Sequence, residues 1–243
     1  VLASIEVMDI VGPLAIVAIF VTIAGLMLMA ARKQQGAVLG HFEACAAGMG
    51  LEYLAPDDGR AEAMSAGFDD FAVFQRTDGM HVPPLCTVSG KVAEGQLCAF
   101  SHFTQGTPNS GRPWVVAIID TGHQIIASLT LTPPVRRGMA APGAGASPHI
   151  DIIDDPAFSS ALAANGSDAT QANRLLSGAV RRDLAKHMGA LPFTAGLAIR
   201  GSKVALYHSD RNENPRSAED VQALVEGASR MAALLVAAGP SGH

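Results

Sequence analysis

The chain has 243 residues, 17 Lys and Arg against 22 Asp and Glu, and a formal net charge of −5. Length allows one large domain or two small ones, and the acidic balance carries none of the basic footprint of a nucleic-acid binder. Three cysteines, Cys45, Cys86 and Cys98, are an odd number with no CxxC or CxxCH spacing, which favours small buried thiols and gives no support to covalent c-type haem attachment.

Residues 1–9 carry Glu6 and Asp9. Residues 10–31, IVGPLAIVAIFVTIAGLMLMAA, then run without one charged side chain. A helix of that length reaches roughly 33 Å, enough for a bilayer core of roughly 30 Å. Arg32 and Lys33 follow at once, so the positive-inside rule predicts an N-terminus outside and a cytoplasmic remainder. A cleaved signal peptide would carry its positive charge first and a shorter apolar core. The span holds no His, Asp, Glu, Lys or Arg and so offers no metal ligand or proton carrier at membrane depth. Gly12, Ala15, Ala18, Thr22 and Gly25 recur every three or four positions, a spacing that predicts a helix-packing interface of small residues.

Residues 32–132 read as a helix followed by an antiparallel meander. Leu39, Phe42 and Ala46 share a helical face, with Gly48 or Gly50 as the stop. A short strand over Leu51–Leu54 ends in the turn Pro56-Asp57-Asp58-Gly59, and a second helix runs from about Arg60 to Ala66. Phe68, Phe71, Val73 and Phe74 are expected to enter a strand. Strands are then predicted over Cys86–Val92, Gln96–Thr104, Trp114–Asp120 and Gln124–Leu131, consecutive ones pairing. Gly106–Gly111 closes the hairpin of the second and third strands. Its Gly-x4-Gly spacing resembles a phosphate loop, but Arg112-Pro113 stands where Lys and Ser/Thr are needed.

Pro133–Pro148, rich in Gly, Ala and Pro, reads as a flexible loop. Residues 149–243 are expected to complete the domain. Ile150–Ile153 is a short strand, and Asp155 caps a helix that has Pro156 at its first position. One helix over Ala169–His187 buries Leu175, Leu176, Val180 and Leu184. Phe193–Arg200 and Lys203–His208 form a hairpin around Gly201-Ser202. The last helix runs from Ser217, paired with Asp220 as a capping-box variant, to about Ala238. Its apolar face is Val221, Leu224, Val225, Ala228, Met231 and Leu235. The class is therefore α+β, an N-terminal transmembrane helix followed by an antiparallel-sheet domain with packed helices.

Gly50-Leu51-Glu52-Tyr53-Leu54-Ala55-Pro56-Asp57-Asp58-Gly59, with Gly67-Phe68 and Phe74 downstream, resembles a family of uncharacterised bacterial single-pass membrane proteins. Ile150-Asp151-Ile152, Pro156-Ala157-Phe158 and Val204-Ala205-Leu206-Tyr207 fit the same layout. The resemblance implies topology and fold and supplies no reaction. Pro133–Pro148 departs from it as an insert-like loop.

Asp57-Asp58 and Asp154-Asp155 sit at turns, where Asp serves as cap. A zinc site of Cys86, Cys98 and His102 matches no structural spacing, and the thiols read as buried hydrophobes. His102 and His123 would meet if their strands were neighbours. Trp114 reads as core or interface, and Arg136–Arg137 and Arg181–Arg182 as solvated pairs. Asn165-Gly166-Ser167 is a glycosylation sequon by letter only. No GxSxG elbow or strand-borne GxGxxG is present. The expectation is a non-catalytic accessory subunit with no cofactor, metal or nucleic acid. It would be held in the inner membrane and contact subunits of a larger complex through its span and its cytoplasmic domain. Photosynthetic reaction centre–antenna and respiratory assemblies suit that layout. An independent membrane-anchored ligand-binding or sensor module is the alternative, and an unrecognised hydrolase the third.

Overall fold

The computed structural model describes residues 21–23, 25, 26, 29, 33, 36–55, 57–66, 71, 87–105, 111–133, 148–152, 155–208 and 215–239. Two compact units partition the chain, Val1–Gly40 and His41–His243. In the first, every described residue from 21 to 40 is helical. Residues 10–20, with Gly12, Ala15 and Ala18, lie outside the described set, as do Phe68, Val73, Phe74 and Cys86.

The second unit opens with helix α1, residues 41–49, which buries Phe42, Cys45 and Ala46. Gly50 ends it in the left-handed region at φ 66°, and the Leu51 N–H returns to the Ala46 carbonyl at 2.9 Å. This closes the last turn as only a residue without a Cβ does easily. Strand β1 (Glu52–Leu54) and helix α2 (Gly59–Ala66) follow. Asp58 opens α2 by accepting the Arg60 N–H at 2.9 Å, and the Arg60 guanidinium bridges Asp58 at 2.8 Å and Glu52 at 2.9 Å. That fork ties α2 to β1, and it holds the Asp58 carboxyl below its usual range. The acidic turn is thus occupied by its own neighbour.

Nine strands form one sheet in the order β1-β2-β3-β4-β9-β8-β5-β7-β6, with every pairing antiparallel. Strands β2 (Thr87–Val92), β3 (Gly95–Gln105) and β4 (Gly111–Asp120) are the expected meander. Strand β5 (Ile126–Thr132) corrects it, because the hairpin of β8 (Ala195–Gly201) and β9 (Lys203–His208) stands between β4 and β5. The cause is visible in burial. Residues 195–199 and 204–207 are buried on both faces, so the hairpin needs an interior place. The chain leaving β4 therefore wraps the hairpin tip. Thr121 donates its N–H to the Ser202 carbonyl at 3.0 Å and its Oγ1 at 2.8 Å, and the Ile125 N–H reaches Gly201 O at 2.9 Å. The Ser202 hydroxyl donates to Asp120 Oδ1 at 2.7 Å. Gly201, at φ 60°, takes the first turn position, as a primed hairpin turn requires.

Beyond β5 the edge is built from β7 (Ala163–Gly166) and the short β6 (His149–Ile150). β7, Ala-Ala-Asn-Gly, was not expected, since none of these residues favours strands. At its last position only glycine fits: a Cβ on Gly166 would come 2.6 Å from the Ser128 carbonyl of the neighbouring strand. The sequon asparagine, Asn165, is buried here.

Helix α3 (Pro156–Ala161) starts as expected, with Asp155 Oδ1 accepting the Phe158 N–H at 2.9 Å. Arg181, expected in solvent, instead keeps only 13% of its side chain exposed and pairs with Asp155 at 3.5 Å. One carboxylate thus serves the α3 cap and the contact to α5. Asp155→Ala is expected to cost about 1–2 kcal/mol, read as a lowered urea midpoint with unchanged slope. The helix expected over Ala169–His187 is two, α4 (Ala169–Leu175) and α5 (Gly178–Gly189). Leu176 leaves helical geometry at φ −82°, ψ 54°, and Ser177 starts α5. Ser177-Gly178 has the weak helical propensity that lets the break occur while Leu175, Leu176, Val180 and Leu184 all stay buried.

Helix α6 (Ala218–Ala238) buries the full expected face, Val221 to Leu235, against β4 and β9. The Ser217 Oγ accepts the Asp220 N–H at 3.3 Å and Asp220 Oδ2 accepts the Arg216 N–H at 2.8 Å. Among the described residues α6 is the one helix long and apolar enough to cross a membrane. Its buried stripe and outward Glu226 and Arg230 make it a core helix. The sheet's opposite face holds Phe71, Cys98, Phe100, Val116, Ile118 and Tyr207, with Met64 of α2 against them.

Candidate functional site

At one end of the sheet, where β4 and β8 begin and β5 and β9 finish, two neighbouring clefts share a wall of Pro192 and Phe193. These two residues link α5 to β8. Pro192 cannot extend a helix, and Phe193 lies half-buried with its ring 4.7 Å from that of His208, tilted 34°. The register sets this pairing: β8 and β9 align Ala195 with His208, bringing the residue before β8 beside the end of β9.

The larger cleft, about 490 Å³, lies between the ends of α3 and α5 and is lined by Ala161, Leu162, Ala185, Met188 and Leu191. Its described lining contains no ionisable side chain. The smaller, about 270 Å³, is floored by buried Val115 and Leu224 and rimmed by His208, Arg216 and Asp220. Arg216 is exposed at its mouth. Asp220 also serves the first turn of α6: its backbone N–H donates to Ser217 Oγ, and its Oδ2 accepts the Arg216 backbone N–H. Along the chain Phe193 and His208 read only as strand ends and Asp220 only as a cap. Nothing in their spacing along the chain marks a shared cleft.

The residues singled out from sequence are not brought together. His102 pairs with Trp114 in register, while His123 follows the opposite end of β4, beyond the Gln96–Asp120 pair. Six residues of strand between these positions amount to about 20 Å, so the two histidines share no site. His123 enters the tip contact through its backbone, its N–H donating to Thr121 Oγ1 at 3.2 Å. Cys98 and His102 are four positions apart on one strand, about 13 Å, too far for one zinc ion. Among the described residues no group of three His, Cys, Asp or Glu side chains is placed to hold a metal. Gly111 continues directly into β4, so no helix follows the Gly106–Gly111 loop to receive a phosphate. Cys45 and Cys98 are free and buried, as expected of small apolar residues. Burial pushes the Cys98 thiol to about 12 and, with Glu226 adding repulsion, Cys45 to about 11. A thiol held protonated in this way is no nucleophile at neutral pH.

Of Gly12, Ala15, Ala18, Thr22 and Gly25, the structure describes Thr22 and Gly25. Both are helical, and open space lies where a Cβ on Gly25 would project. The chain matches no protein-family model, no curated protein and no solved structure.

Proposed function

We propose that this protein is a single-pass, membrane-anchored accessory subunit. Residues 10–31 span the inner membrane, and the α+β domain braces a larger assembly from the cytoplasmic side without catalysing a reaction. One observation carries the reading. The large hydrophobic side chains exposed among the described residues are Val21, Ile23, Leu26 and Met29, all in the N-terminal unit and all within the uncharged run. Water would penalise that surface at about 25 cal/mol for each Å², whereas a bilayer accepts it. Photosynthetic and respiratory complexes are hosts of the right kind, and the family resemblance of Gly50–Gly59 agrees with such a layout.

The experiment expresses the full chain, with Cys86→Ser and Ser159→Cys, and adds a membrane-impermeant maleimide. Ser159 is exposed on α3, so its replacement reports the side of the membrane. The chain should resist carbonate extraction, and the new thiol should label only after lysis. Ala18→Leu with Gly25→Leu should leave insertion intact and release the protein from co-purifying subunits, because bulk there blocks close helix approach. Extraction by carbonate, or labelling in intact cells, would overturn the anchor or its orientation. A second reading, a membrane-anchored ligand-binding module, is favoured by the paired clefts around Phe193.

A further inference from the structure

Helix α1 brings two sulfur atoms together. Cys45 and Met49 stand four residues apart, about one turn, so they share a face of the helix. Helical side chains lean toward the N-terminus, which lays Met49 back over Cys45, and the Cys45 Sγ–H donates to Met49 Sδ at 3.7 Å. His41, one turn earlier, leans by the same rule away from the pair. The face is buried at Cys45 and reaches solvent at Met49, which is half-buried. Glu226 of α6 lies close enough for its charge to act on the Cys45 thiol. Its Oε1 accepts from Gln222 at 2.8 Å and its Oε2 lies 3.6 Å from Arg230, so it supplies a field and no ligand.

We propose that Cys45 and Met49 together bind one Cu(I) ion. Thiolate and thioether are both soft, polarisable donors, a pair that suits monovalent copper. A thioether adds nothing for zinc, whose ligands are Cys, His, Asp and Glu. The spacing admits an ion. With metal–sulfur bonds of about 2.3 Å, as in a zinc thiolate, sulfurs 3.7 Å apart subtend roughly 107° at the metal. That angle leaves the outward side of the ion for solvent or for a small thiol that delivers it. On binding, a Cu–S bond replaces the Cys45 S–H bond, the proton leaves to solvent and copper keeps its oxidation state. Burial and Glu226 hold the empty thiol protonated, because both disfavour a lone thiolate. A thiolate paired with Cu⁺ carries no net charge, so burial no longer opposes loss of the proton, and the field of Glu226 attracts the cation. A bare ion also needs less room than a thiol reagent and meets Met49 first. The site uses the second unit alone and stands or falls separately from membrane attachment.

The test uses the full chain with Cys86→Ser in lipid nanodiscs, titrated with Cu(I) under anaerobic conditions against a chromophoric Cu(I) chelator. One ion should bind per chain, with thiolate-to-copper absorption in the near ultraviolet and two sulfur neighbours by X-ray absorption. Cys45→Ala should abolish binding, while Cys98→Ala and His41→Ala should bind as the parent does. Met49→Leu conserves volume and keeps the fold. It should weaken binding by at least about tenfold, the lower end of what even an outer-shell partner contributes, and leave one protein sulfur on the ion. Excess Zn(II) should not displace the copper. Failure of the parent to take copper from the chelator, or binding that survives Cys45→Ala, would overturn the site. An unchanged affinity and sulfur count in Met49→Leu would overturn the two-sulfur assignment, and displacement by Zn(II) would overturn the choice of a soft metal. Extraction by carbonate with stoichiometric copper binding intact would remove the anchor reading and retain this one.

Discussion

Replacing Gly196 by alanine should destabilise the domain by about 3 kcal/mol, among the larger effects a single methyl can produce. Gly196 faces Tyr207 directly across the β8–β9 ladder. A Cβ there would lie 2.3 Å from Tyr207 Cζ and 2.5 Å from its hydroxyl oxygen. The ring is wholly buried in one cluster with Phe100, Val116 and Ile118, so moving it disturbs packed neighbours. Tyr207→Leu should itself cost about 3 kcal/mol through the cavity it opens. In that background Gly196→Ala should cost less than about 1 kcal/mol, because the added methyl meets vacated space. Urea unfolding of the four proteins gives the coupling as a double-mutant cycle. Additive costs would mean that the glycine is there for backbone reasons and not to seat the ring.

Stability should also fall steeply in alkali, by about 5 kcal/mol between pH 9 and 11. The fold holds Cys45 and Cys98 protonated, with thiol values pushed from an ordinary 9.0 to about 11 and about 12. A group whose value is raised on folding contributes fully below its unfolded value and loses that contribution as pH rises. Above pH 9 the unfolded chain releases both protons and the folded chain neither, so each thiol removes about 1.4 kcal/mol per pH unit. Cys45 stops contributing near pH 11 and Cys98 near pH 12. Burial raises Tyr207 as well, adding a similar loss above pH 10. Cys45→Ala with Cys98→Ala should be less stable at pH 7 yet nearly flat from pH 9 to 10. An unchanged slope in the double variant would place the alkaline weakness elsewhere. The same burial predicts that neither thiol reacts with a disulfide reagent at pH 8 until the domain unfolds.

Much of this domain was legible because its signals are local. Ser217 and Asp220 announce the start of α6, and the apolar spacing from Val221 to Leu235 names its buried face without knowledge of what lies beneath it. Asp155-Pro156 starts α3, Gly50 stops α1, and Gly201-Ser202 closes a hairpin for reasons contained within a few residues of each. Periodicity then assigns the α+β class and the antiparallel strands. What sequence left open was long-range. The order of strands depends on which hairpin most needs burial, and β8–β9, apolar on both faces, displaced β5 from β4 in a way no turn motif encodes. Ala163–Gly166 forms a strand by pairing with β5 and β6, and at Gly166 only glycine fits between Ser128 and Ile150, a constraint set by neighbours rather than propensity. Arg181 left solvent because the break at Leu176-Ser177 turned α5 toward Asp155. The clefts arise from the same cause. Phe193, His208 and Arg216 are ordinary residues along the chain, and only the ladder pairing Ala195 with His208 and the seat of α6 on β4 and β9 bring them to one wall. Local hydrogen bonds and periodic apolarity act within a turn or a strand and can be read from letters. Strand order and concave surface are settled by competition among all apolar faces for one interior, and that competition takes place only in the folded chain.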